Sequence, residues 1–147
     1  MSHYKEILVA VDFSDTSIRA LQVARDIGTR LNAKLHIVNF VPMRVMDMGM
    51  EGGVDFIEEM HQKELEESRE KLKMFIKEHT TDEDEIDQYT QSGEPAAEIN
   101  TMVELTSAEL IVIGTHGRTG LKHLLLGSIA ESILKVADVP VLCVRSP

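Results

Sequence analysis

The stretch that decides the fold runs Leu110-Ile-Val-Ile113 and then Gly114-Thr-His-Gly-Arg-Thr-Gly-Leu-Lys-His-Leu-Leu-Leu-Gly-Ser128. Four consecutive apolar residues, three of them β-branched, predict a short strand buried on both faces, as in a parallel sheet. Ile129, Ala130, Ile133 and Leu134 recur at helical spacing after it. The glycines therefore fall where a strand ends and a helix begins. Glycine lets main-chain N–H groups approach an anion without a Cβ in the way. The following helix presents unpaired N–H groups and the positive end of its dipole. The junction reads as an anion site. Its spacing, G-x2-G-x9-G-S on Gly114, Gly117, Gly127 and Ser128, matches neither common glycine motif. A dinucleotide fingerprint belongs after the first strand, and Gly120-Leu121-Lys122-His123 is no Walker loop.

Working outward, the same grammar repeats. Glu6-Ile-Leu-Val-Ala-Val11 predicts a buried strand that ends in the polar turn Asp12-Phe-Ser-Asp15, rich in helix-capping residues. Ile18, Leu21, Ala24, Ile27 and Leu31 mark a helical face, and Ala33 to Phe40 reads as a second strand. Strand, helix and strand in this length make a right-handed crossover. Pro42 to Gly53 carries Met43, Met46, Met48 and Met50 without a period; it reads as an irregular connection, or as an adaptable surface for a partner. Val54 to His79 predicts a long helix with Ile57, His61, Leu65, Ser68, Leu72, Phe75 and Ile76 on one face. Asp82 to Glu85 reads as a solvated acidic turn, and Ile86 to Gln91 as a polar strand at a sheet edge. Gly93-Glu-Pro95 opens a helix with Ala96, Ile99, Met102 and Val103 inward, proline sitting where a missing N–H costs nothing. A helix to about Ala137 and a strand Val141–Val144 close the chain. This order predicts one α/β domain over residues 1–147 with a parallel sheet of about five strands.

Composition bounds the function. The 147 residues carry a net charge of −10, which argues against general nucleic-acid binding and against docking on an anionic membrane. No apolar run reaches the length of a membrane span, and the start lacks a signal-peptide core, so a cytoplasmic protein is expected. One cysteine, Cys143, excludes an internal disulfide framework and reads as a small buried hydrophobe. His36, within an apolar strand, reads as a satisfied core histidine. A metal pair of His116 and His123 lacks a third ligand signal, and no side-chain metal site is expected.

Taken together, Ile7-Leu-Val-Ala-Val-Asp-Phe-Ser14, Leu35-His36, Gly93-Glu-Pro95, Ile111-Val-Ile-Gly-Thr-His-Gly117, Gly127-Ser128 and Val139-Pro-Val141 resemble the universal stress protein family, in its ATP-binding branch. The resemblance covers nearly the whole chain. It implies a Rossmann-like open sheet of order 3-2-1-4-5 with helices on both faces. It implies ATP with Mg²⁺ or Mn²⁺, Asp12 near the adenosine end, and the main chain around Ile37 against the adenine. Gly114 would pass beside the ribose, while Gly117 and Arg118 would lie near the phosphates. Gly127, Ser128 and the N–H of Ile129 would hold the phosphates at the helix start, unless Ser128 is a plain N-cap. Several ATP-binding relatives carry proline at the position of Ala10. The resemblance further implies a homodimer through Val139–Arg145 and a non-enzymatic regulator, of a transporter or of another protein partner. A slow ATPase or nucleotide-dependent transferase is the alternative, and a scaffold that binds no nucleotide is a third reading.

Overall fold

The computed structural model describes residues 4–44, 53–116 and 126–145. Strands β1 (Glu6–Ala10), β2 (Lys34–Val41), β3 (Ile86–Ser92), β4 (Leu110–Gly114) and β5 (Val141–Val144) alternate with helices α1 (Asp15–Leu31), α2 (Gly53–His79), α3 (Pro95–Thr106) and α4 (Ser128–Val136). The five strands form one sheet of order β3-β2-β1-β4-β5, and every pairing is parallel. Strand order reverses at β1, which lies between β2 and β4, so the switch point falls between the Asp12 turn and the glycine stretch. The polar strand β3 is at one edge, as its alternation predicts.

Alternate residues of each strand face opposite sides, and this splits the interior into two layers. Ile7, Val9, Val11, Leu35 and Ile37 pack with Ala20, Leu21 and Ala24 of α1 and with Leu72 and Phe75 of α2. Leu8, Ala10, Val38, Ile111 and Ile113 pack with Ile99, Met102 and Val103 of α3 and with Ile133 of α4. The buried stripe of α1 is rotated from the one its large residues suggest. Thr16, Ser17, Ala20 and Gly28 go inward, while Ile18 and Ile27 sit at its margin. Small residues on that face let the helix lie close on the sheet. A Cβ at Gly28 would already stand 3.3 Å from Leu35.

Several buried polar residues among these elements are paired, while His61 Nδ1 of α2 and Thr90 Oγ1 of β3 are buried without a partner among the described residues. His36 is buried, with Nε2 2.5 Å from Glu6 and Nδ1 3.1 Å from the Tyr89 hydroxyl. The acidic turn is not wholly solvated. Asp84 accepts from the Arg25 guanidinium at 2.8 Å and from the Thr81 N–H at 2.9 Å, and Arg25 also donates to the His79 carbonyl. Cys143 is half-buried and not fully enclosed; burial pushes its thiol upward.

Lys34 and Asp87 lie 2.8 Å apart on adjacent strands. The hydrogen bond from Lys34 holds the Asp87 carboxyl below its ordinary value of 3.8, and the same bond raises Lys34. A depressed carboxylate favours the fold above its unfolded pKa, and that contribution is lost as pH falls through the lower folded value. A carbon-detected NMR titration is therefore expected to give Asp87 a midpoint below 3.8, returning upward in Lys34→Met. An unchanged midpoint in that variant would remove the ion pair as the cause.

Candidate functional site

At the carboxyl end of β1 the chain turns through Asp12, Phe13 and Ser14. Ser14 caps α1, its hydroxyl accepting from the Ser17 N–H. Asp12 Oδ1 accepts from the Ser14 N–H at 3.0 Å, the Ser17 hydroxyl at 2.7 Å and the Ser14 hydroxyl. The Asp12 N–H donates back to Ser17 Oγ at 2.8 Å. The carboxylate is thus anchored on one oxygen by the start of α1. Phe13, between two such tied residues, has φ +68°, the left-handed region that an aromatic side chain rarely adopts.

Across the switch point, β4 ends at Gly114 against the first turn of α1. A Cβ at Gly114 would lie 2.9 Å from Thr16 Cβ and 3.0 Å from its backbone, so this glycine is required by the close helix–strand approach. Thr16 Oγ1 donates to the His116 carbonyl at 2.6 Å, and the Thr115 N–H donates to Val144 of β5 at 2.9 Å. Thr115 Oγ1 and His116 Nδ1 are 3.0 Å apart. The chain re-enters at Gly127, whose N–H donates to the Thr115 carbonyl. Gly127 is the N-cap of α4 and makes no side-chain cap bond; Ser128 is the first helical residue, not the cap. The Gly127 N–H, expected at the phosphates, is therefore engaged within the protein. The N–H groups left without intrahelical partners are those of the first turn of α4, Ser128 and Ile129 among them.

These two edges bound a cleft of about 300 Å³, at the lower end of ligand-pocket sizes. Of the residues singled out in the sequence, Ala10, Asp12, Gly114, Gly127, Ser128 and Ile129 line it. Ile37 does not: it is fully buried, paired with Val9 and Gln88, and its layer faces α1 and α2. The cleft begins two residues further along β2, at Asn39 and Phe40, because ligand space opens only at the carboxyl edge of the sheet. Gly117, Arg118, His123 and Met46, Met48 and Met50 lie outside the described residues, and Met43 is exposed. Pro42, Glu94, Pro95, Ser17, Thr115 and His116 also line the cleft. Asn39 carried a signal in the sequence, as the one amide among apolar neighbours in its strand. Glu94 and Pro95 carried one too, in the helix-opening Gly93-Glu-Pro95, where Gly93 has φ +121°.

The cleft is electrically divided. One end holds the Asp12 carboxylate with Asn39 beside it. The other holds the start of α4, where the dipole and first-turn N–H groups favour negative charge. An anionic group fits the second end and is repelled from the first, where a ligand's N–H or O–H donors fit instead. The acidic lining groups among the described residues are Asp12 and Glu94. No group of three metal-ligating side chains occurs among the described residues. Among the described residues no helix is long and apolar enough to cross a membrane.

A parallel sheet of order 3-2-1-4-5, with a cleft at its switch point between a β1 carboxylate and a helix start, defines a Rossmann-like α/β protein. Residues 3–145 match the profile of the universal stress protein family, and the chain belongs to that family. Universal stress protein MJ0531 of Methanocaldococcus jannaschii is 35% identical over 98% of this chain and 84% of its own length. MJ0577 of the same organism is 31% identical over 97% of this chain and 95% of its own. The solved structure of MJ0577 superposes with a TM-score of 0.82, over 98% of this chain and 97% of that one, at 28% identity. A universal stress protein solved in complex with cAMP superposes at 0.62, covering 99% of this chain and 100% of that one, at 25% identity.

Proposed function

We propose that this protein is an ATP-binding regulator of the stress response, whose nucleotide state alters its assembly or its contacts with a protein partner. The observation that carries the reading is the division of the cleft. The Asp12 end suits the hydrogen-bond donors of a nucleoside, and the start of α4 suits phosphates, in one continuous space at the switch point. A universal stress protein solved in complex with cAMP supports a nucleotide as the ligand. Ala10 and Gly114 would flank the ribose, and the N–H groups of Ser128 and Ile129 would meet the phosphates with Gly117 and Arg118. Gly127 would act through its shape, since its N–H is already bonded. Asn39 and Phe40 take over the base-side role that the resemblance gave to the main chain around Ile37. Mg²⁺ or Mn²⁺ would enter on the phosphates and neutralise them against the acidic surface.

Binding is read as the activity, with Asp12 Oδ1 accepting three donors from Ser14 and Ser17 and so serving as the anchor of its turn. The test is direct. Protein as purified is denatured, the released small molecules are separated by chromatography, and Mg-ATP is titrated into emptied protein by calorimetry. Near one ATP per chain is expected. No nucleotide and no heat would overturn the reading, and multiple turnover to ADP would replace it with a slow ATPase or a nucleotide-dependent transferase.

The same reading includes a homodimer through Val139–Arg145. Among the described residues β5 forms its ladder with β4 alone, and Leu142 on it is 37% exposed. A short apolar edge strand calls for a cover. Light scattering is expected to show a dimer that Leu142→Pro converts to monomer, because proline removes a ladder donor. An unchanged oligomer in that variant would move the interface elsewhere.

A further inference from the structure

One end of the cleft is tied to α2, the long helix on the far side of the sheet from α3 and α4. Asn39 of β2 lines the cleft and is 8% exposed. Its Nδ2 donates to the Val11 carbonyl at 2.8 Å, and its Oδ1 accepts from the Ser68 hydroxyl of α2 at 2.5 Å. The Val11 carbonyl and the Asp12 N–H belong to one peptide plane. Asn39 holds the carbonyl of that plane, and Ser17 holds its N–H at 2.8 Å. The plane that aims Asp12 is therefore pinned from β2 on one side and from α1 on the other. The Val11 carbonyl can only accept, so it fixes the amide with Nδ2 toward β1, and the Ser68 hydroxyl then donates to the Oδ1 that is left.

A second contact reaches the same turn. Phe13, in its left-handed conformation, meets the ring of Phe75 edge-on at 5.5 Å, and Lys71 Nζ stands 4.8 Å from its centroid. Ser68, Lys71 and Phe75 are three and four residues apart, on one face of α2. The other end of the cleft is held differently: Thr16 of α1 and Val144 of β5 bond the Thr115–His116 segment. Both ends share α1, through Ser17 and Thr16, and the Asp12 end alone of these two is tied to α2 by the contacts described.

Resting on the nucleotide reading above, we propose that Asn39 and Ser68 are positioning residues for the nucleoside end of the cleft. They couple the seating of α2 to nucleoside binding and leave the phosphate end independent. By linkage, a nucleoside at Asp12 tightens α2 by as much as a seated α2 tightens the nucleoside.

The probes are Mg-ATP and Mg-tripolyphosphate, which share the phosphates and differ by the nucleoside. Calorimetry on the full chain compares wild type, Ser68→Ala and Ser68→Thr. Ser68→Ala is expected to weaken Mg-ATP about tenfold and to leave Mg-tripolyphosphate within about twofold. Ser68→Thr restores the hydroxyl and is expected to restore ATP affinity. Hydrogen exchange on unsubstituted protein needs no variant: ATP should slow exchange in α2, and tripolyphosphate should not. Equal weakening of both ligands by Ser68→Ala, or none, would overturn the proposal. So would equal protection of α2 by both ligands. If wild type binds ATP and these comparisons fail, only the coupling falls; if wild type binds neither ligand, the nucleotide reading falls first.

Discussion

Gly127→Val is expected to abolish measurable Mg-ATP binding and to lower the melting temperature in the same protein. The reason is local and steric. A Cβ on Gly127 would stand 2.7 Å from the Thr115 carbonyl oxygen, which is backbone and cannot swing aside. That oxygen also accepts the Gly127 N–H, so moving away to relieve the clash breaks the bond that closes the site. Valine adds two methyl groups to the conflict. Overpacking of this kind costs about 1–3 kcal/mol. For a domain of this size that is a fall of roughly 3–10 °C. Binding should fall further, by about 100-fold or more, because the displaced start of α4 carries the N–H groups meant for the phosphates. Gly127 has φ −71°, which any residue adopts, so the effect would come from space and not from backbone conformation. Thermal unfolding and calorimetry on the two proteins check both halves. A Gly127→Val protein that binds Mg-ATP like wild type would remove the start of α4 from the site.

Leu72→Ala is expected to be the most destabilising single truncation on α2. Leu72 is fully buried and packs in the layer built by Val9, Leu35, Ile37 and Phe75. Truncating a leucine there removes its transfer free energy and leaves a cavity that rigid strands on one side cannot fill, about 2–5 kcal/mol. The corresponding drop in melting temperature is on the order of 10 °C. Met74, two residues on and 55% exposed, is the control. Met74→Ala should change stability by no more than about 0.5 kcal/mol. Equal effects from the two substitutions would mean that α2 is not seated on the sheet through this face. Because α2 also holds Ser68 and Phe75 against the Asp12 turn, Leu72→Ala should weaken ATP binding as well.

Much of this molecule was legible from local pattern. Leu110–Gly114 could be read as a strand because a short β-branched run flanked by polar turns suits the middle of a parallel sheet. The edge position of β3 followed from its polar alternation, and Pro95 marked the first turn of α3. Asp12 and the glycine junction announced themselves by residue type at strand ends. The strand order came from resemblance, since adjacency of β1 and β4 is a long-range property that no local period encodes. Three matters were decided only by tertiary packing. Ile37 is a core residue, and Asn39 lines the cleft, because the reach of the sheet's edge depends on how far each strand extends past its neighbour. Gly114 is glycine because Thr16 approaches it from a distant part of the chain, and Gly127 because the loop returns it onto the Thr115 carbonyl. Ser68 and Asn39 meet although 29 residues separate them, because a helix laid on a sheet brings a hydroxyl over an amide that neither stretch of sequence could reveal by itself.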